Sequence, residues 1–192
     1  MNTIERHPLE PFIPQHAQLL MLGSFPPKRE RWSMDFFYPN WINDMWRIMG
    51  LIFYNDKHHF ECRGEKRFDR ESIIDFCQSR GIALYDTAVE VRRLHDNASD
   101  KYLEIVTPTD VASLLMQMPQ CHTIVTTGEK ATLTLCETLG VTPPRVGDCI
   151  HTTYLHRNIT LYRMPSSSRA YPMSLVDKAA MYSILFSHLG WI

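Results

Sequence analysis

Two short segments of this chain combine residue types suited to a planar ligand carried on a phosphate chain. The first runs Gly23-Ser24-Phe25-Pro26-Pro27-Lys28-Arg29 and continues into Phe36-Phe37-Tyr38-Pro39-Asn40-Trp41-Ile42-Asn43. A glycine followed closely by prolines turns the backbone tightly and bares its amides. Phe36, Phe37, Tyr38 and Trp41 offer flat faces for stacking, and Lys28, Arg29 and Arg31 stand beside them as cations. The same rings would serve equally as core, since large aromatics are mostly buried. The second segment is Pro165-Ser166-Ser167-Ser168-Arg169. Small hydroxyl residues with free amides can lie close against a phosphate backbone, and Arg169 adds positive charge. Such a turn also caps helices, so its role depends on what faces it.

Other groupings carry less. His58, His59 and Cys62 are dense in metal-ligating types, but Lys57, Arg63, Lys66 and Arg67 flank them and would repel a cation. We expect no metal there, and read residues 57–70 as a basic surface segment able to approach phosphates. Gly128-Glu129-Lys130 lacks the preceding glycine spacing of a phosphate loop. Cys121 and Cys136 read as core thiols.

The chemistry needs elements to hold it. Short apolar runs at residues 17–23, 82–86, 123–128 and 159–165 read as buried strands. Between and after them, residues 42–51, 69–80, 108–117, 129–139 and 173–189 have helical length and spacing. Alternation of this kind predicts right-handed crossovers and a mainly parallel four-stranded sheet covered on both faces. Ligands of such sheets bind beyond the carboxyl ends of the strands. That places residues 24–43, 87–100, 128–130 and 166–172 at the expected site. Pro8, Pro11 and Pro14 make residues 1–16 an extended lead-in on the surface.

With 192 residues, 44% hydrophobic and 21% charged, the chain has material for a real core, and we expect one domain over residues 1–192. No apolar run of about 18 residues appears and the N-terminus lacks a signal pattern, so a soluble cytoplasmic protein with no membrane contact is expected. The five cysteines are odd in number and form no Cys-x-x-Cys pair, which fits reduced thiols. A net charge of -1 excludes a uniformly basic coat while leaving room for a local basic patch.

Six segments in one order carry a family resemblance. They are Gly23-Ser24-Phe25-Pro26-Pro27, Tyr38-Pro39 through Asn43-Asp44-Met45-Trp46-Arg47-Ile48-Met49, Gly81-Ile82-Ala83-Leu84-Tyr85-Asp86, Ser99-Asp100 with Pro108-Thr109-Asp110, Thr126-Thr127-Gly128-Glu129-Lys130-Ala131, and Met164-Pro165-Ser166-Ser167-Ser168. From about Leu19 to the C-terminus the chain resembles the uracil-DNA glycosylase superfamily, most closely its hypoxanthine-DNA glycosylase-like branch. The resemblance implies a three-layer α/β/α sandwich around a short, mainly parallel sheet, and hydrolysis of the N-glycosidic bond of a deaminated base flipped out of DNA, with no metal or small-molecule cofactor; a monomer is expected.

It also implies roles. Phe36 or Phe37 would stack the base. Gly23, Ser24, Phe25 and Ser166 to Ser168 would bind base or phosphate, and Pro165 and Arg169 belong to a loop that enters the minor groove. Many superfamily members carry a water-holding Asn or Asp inside the first motif, where this chain has Ser24-Phe25. In the hypoxanthine-like branch that role passes to an Asn whose match is Asn43, with Asn40 as competitor and a helix cap as the plain alternative. Met164 stands where uracil-specific relatives place a His, so donation to the departing base falls to amides or Ser166. No Lys is placed for Schiff-base chemistry, so no strand cleavage is expected. A non-catalytic nucleic-acid-binding module on the same fold, and a hydrolase of free nucleosides, are the competing readings.

Overall fold

Residues 3–94 and 102–192 are described in a computed structural model of the chain. In order, its elements are Ile4–Arg6 (β1), Leu19–Gly23 (β2), a 3-10 turn at Arg29–Arg31, Met45–Tyr54 (α1), Arg70–Arg80 (α2), Ile82–Asp86 (β3), Ala88–Arg93 (β4), Leu103–Pro108 (β5), Val111–Gln117 (α3), Thr123–Thr127 (β6), Glu129–Leu139 (α4), Cys149–Tyr154 (β7), Arg157–Met164 (β8) and Leu175–His188 (α5). Every residue of β2, β3 and β6 is buried, which a strand achieves only when both faces of its sheet are covered. The result is a three-layer α/β/α sandwich, with strand order β3-β2-β6-β8-β7 in the central sheet.

The first four of those strands run parallel and correspond to the four read from the sequence. A fifth strand, β7, joins the edge antiparallel to β8. Its hairpin turns at Leu155 and His156, both in the left-handed region with φ of 52° and 58°, where Gly or Asn would be the usual signal. A second antiparallel sheet, β1-β4-β5, was also not anticipated. Of the post-strand segment 87–100, the described residues turn at Thr87 straight into β4, and β1 pairs with it through Ile4 and Arg92. The N-terminal segment is thus tied in twice, because Phe12 exchanges backbone hydrogen bonds with Leu84 of β3. Ser99 and Asp100, part of the resemblance, lie outside the described residues.

Helix boundaries follow their caps. The Asp69 carboxylate accepts the Ser72 N–H and hydroxyl and starts α2, while Gly81, at φ 67°, ends it. A side chain at Gly81 would also meet the His16 carbonyl at 2.5 Å. The α1 helix begins at Met45 rather than residue 42, because Asn43 and Asp44 are spent before it: Asn43 Oδ1 accepts the Met45 N–H.

The loop after β8 is held by buried charge. Lys178 of α5, 1% exposed, donates from Nζ to the Ser168 carbonyl at 2.7 Å and lies 3.8 Å from the Asp44 carboxylate. Asp44 also receives Arg169 Nε at 2.8 Å, and its backbone N–H donates to the Ser167 carbonyl at 2.9 Å. Arg47 completes the group, 2.6 Å from Glu61 and donating to the Trp41 and Asn43 carbonyls. Burial pushes the Lys178 ammonium below its ordinary range, with Arg169 adding to this and Asp44 opposing it.

Lys178→Met, which keeps the stem and removes the donor, is expected to cost about 2 kcal/mol by leaving a buried carbonyl unpartnered. In a thermal melt that is a fall in Tm of roughly 4–8 °C; an unchanged Tm would mean the ammonium holds nothing. The thiols give a second check. Cys77 is pushed up by burial, Cys121 is pushed up to about 11 by burial, and Cys136 is also buried. A thiol reagent at pH 8 should therefore modify only the half-buried Cys62 and Cys149 before unfolding, and a third reactive thiol would contradict the packing.

Candidate functional site

Four parallel strands ending side by side leave a cleft beyond their carboxyl ends, as the topology requires. Its volume is about 560 Å³, within the range of small-ligand sites. Three loops form its walls: residues 23–27 after β2, residues 37–43 before α1, and residues 166–172 after β8. Leu9, Arg31, Asp86 and Thr127 complete the lining.

At the base of the cleft is a carboxylate. Asp86 ends β3 and is 7% exposed, with its Oδ2 2.9 Å from His7 Nε2. Its Oδ1 lies against Gly23, so near that a Cβ there would come to 2.4 Å of it. Gly23 is therefore the residue that lets β2 and this carboxylate share one space. The Asp86 backbone is fixed as well, its carbonyl accepting the Thr109 hydroxyl at 2.6 Å. Above it sits Tyr38, at φ 51°, whose hydroxyl is 3.1 Å from Thr127 Oγ1. Burial, with the Asp86 charge adding to it, raises the Tyr38 phenol far above its ordinary range, so it stays neutral and available as a donor.

The hydroxyl loop approaches from the other side. Gly128, at φ 96°, brings the β6–α4 turn within 3.4 Å of the Ser166 Cβ, measured from the position its own Cβ would take. Ser166, Ser167 and Ser168 all line the cleft, and an isolated bridge pairs Asn43 with Ser168. The two segments singled out in the sequence thus face each other across one space.

Individual residues fall unevenly. Gly23, Ser24 and Phe25 line the cleft, and Phe25 also packs on Ala88, Val91 and Leu103 beneath the second sheet. Of the two stacking candidates Phe37 lines it, whereas Phe36 packs behind against Phe12, Phe37 and Trp46. Asn43 and Asn40 are both present, and each side-chain oxygen already accepts a backbone N–H, from Met45 at 2.9 Å and Ile42 at 3.1 Å. A carbonyl oxygen has a second lone pair, so the cap at Asn43 leaves room for one more donor. Pro165 and Arg169 do not line the cleft: Pro165 is buried with its carbonyl on the Tyr182 hydroxyl, and Arg169 leans on Asp44. Met164 is 0% exposed and belongs to the core.

Residues 57–70 present Lys57, Arg63, Lys66, Arg67 and Arg70 to solvent. Within them His58 pairs with Glu61 at 2.7 Å, and His59 stacks on Tyr54. No group of three or more His, Cys, Asp and Glu that would hold a metal occurs among the described residues. The sequence reading gave no role to His7, Leu9, Asp86, Thr127 or Lys178. Asp86 could have been found, as an acidic residue at the carboxyl end of a buried strand. His7 carries no local signal, because a second sheet brings it from far along the chain.

No family model matches the chain, and no curated protein matches it. Among solved structures, it is similar to the solution NMR structure of a "putative Uracil DNA glycosylase" from Methanosarcina acetivorans, at 20% identity and a TM-score of 0.65, covering 98% of this chain and 99% of that one. The chain therefore has a uracil-DNA glycosylase-like fold.

Proposed function

We propose that this chain is a monofunctional DNA glycosylase acting on a flipped-out deaminated base: uracil, hypoxanthine or xanthine. The observation that carries the reading is the single cleft in which Gly23 to Pro27, Phe37 to Asn43 and Ser166 to Ser168 converge on the Asp86 carboxylate. A base entering it meets the face of Phe37 and the small residues that follow β2. Deamination turns the ring acceptors of cytosine and adenine into N–H donors, and Asp86 is an acceptor at the bottom of the cleft. Ser166 to Ser168 would grip the backbone, with Pro165 and Arg169 in the segment nearest the minor groove.

The bond between C1′ and the base nitrogen breaks with its electron pair passing to the base, leaving an oxocarbenium-like sugar. Asn43 orients the water that adds to C1′, whose proton goes to solvent. The hydroxyl and amides at Ser166 stabilise the departing base, taking the place that a His occupies in uracil-specific relatives. Repair of deaminated DNA by base excision is the setting in which such an enzyme acts.

Asn43→Ala should lower base release by about 100-fold or more, and Asn40→Ala by much less. The assay uses end-labelled oligonucleotides with single uracil, hypoxanthine or xanthine residues, read as alkali-labile sites. The reverse ranking would move the water to Asn40. Borohydride should trap no protein on DNA, since the Lys178 ammonium beneath the site is committed to Ser168; a trapped adduct would contradict the monofunctional reading. A second reading is favoured by the capping bond at Asn43: a non-catalytic module that binds DNA. Salt-sensitive binding with no base released from any of the three lesions would select it.

A further inference from the structure

His7 lies on the far side of Asp86 from the cleft and enters none of the steps above. Its ring is wedged among Tyr85, Phe25 and Phe37, with centroids 4.6, 5.3 and 6.2 Å away, so it has little freedom to turn. Its backbone N–H donates to the Val89 carbonyl at 2.7 Å, fixing the strand end from which it projects.

The hydrogen bonds of the ring have one shared feature. With a neutral ring protonated at Nε2, that proton is donated to Asp86 Oδ2 at 2.9 Å while Nδ1 accepts the Leu9 N–H at 3.2 Å. In the imidazolium, Nδ1 instead donates to the Leu9 carbonyl at 2.8 Å. The Nε2–H points at Asp86 in both forms. We infer that His7 is a positioning residue that sets the hydrogen-bonding polarity of the cleft: by occupying Oδ2 with a fixed donor, it leaves Oδ1 as the acceptor beside Gly23. The substrate class follows. A base with a ring N–H at that edge is accepted, and one with a ring lone pair there is refused. This inference rests on the reading of the cleft as a nucleobase site and extends it.

The same logic makes an unusual demand on residue 86. With His7 protonated at Nε2, an Asn at that position turns its carbonyl oxygen to the Nε2–H and its NH2 toward the cleft. The site would then offer a donor and its preference would reverse. Without the His7 donor, the amide is free to flip and the preference relaxes.

The test is an NMR titration of the full chain with free uracil, hypoxanthine, cytosine and adenine, comparing Kd values, with oligonucleotide base release measured alongside. Wild-type protein is expected to favour uracil over cytosine and hypoxanthine over adenine by about tenfold. His7→Phe keeps the ring packing and should bring both ratios to within about twofold, while His7→Gln, which retains an N–H donor, should restore them. Asp86→Asn should favour cytosine and adenine, and the double variant with His7→Phe should show little preference. Unchanged ratios in His7→Phe would overturn the inference even if DNA is cleaved of its bases. Ratios that depend on His7 in a protein that releases no base would instead uphold it and remove the glycosylase reading.

Discussion

A carboxylate taken out of water must be hydrogen-bonded, and the arrangement around Asp86 can be traced to that requirement. One oxygen is occupied by His7, brought from the N-terminal segment, and the other lies where only a glycine at position 23 leaves room. The glycine ends β2, and the Ser24 to Pro27 turn begins from it. Tyr38 is held in a left-handed conformation above the same group, its hydroxyl on Thr127 at the end of β6. The carboxyl ends of β2, β3 and β6 are therefore tied to one acidic group, which is how a short sheet presents a defined floor.

The opposite wall depends on a second buried charge. Asp44, just ahead of α1, collects Arg169, Arg47 and Lys178, and its own N–H reaches the loop after β8. Three cations share the carboxylates of Asp44 and Glu61 and several backbone carbonyls, and the loop carrying Ser166 to Ser168 is thereby fixed against Asn43. Positioning by such a cluster suits the proposed hydrolysis, in which water would need orientation more than activation.

The parallel sheet was legible because its strands carry short, mostly apolar runs separated by stretches of helical length, and α2 and α4 could be placed to within a residue. β7 was not, since Leu155-His156 is a turn without turn residues, and the β1-β4-β5 sheet was not, since β5 is mostly exposed and β1 has only three residues. Of the site, the two loops were readable from residue type and from their place after strands. His7 and Lys178 were not, because their roles come from tertiary burial: nothing near either residue in sequence shows that a ring will meet Asp86 or an ammonium will meet the Ser168 carbonyl.

The most direct measurement is a crystal structure of the chain with duplex DNA carrying 2′-fluoro-deoxyuridine or 2′-fluoro-deoxyinosine, whose fluorine slows bond cleavage and leaves the base attached. The account predicts the base turned out of the helix, stacked on Phe37, with its ring N–H at hydrogen-bond distance from Asp86 Oδ1 and Ser166 to Ser168 against the backbone. A base that remains paired in the duplex, with DNA bound away from the cleft, would contradict it.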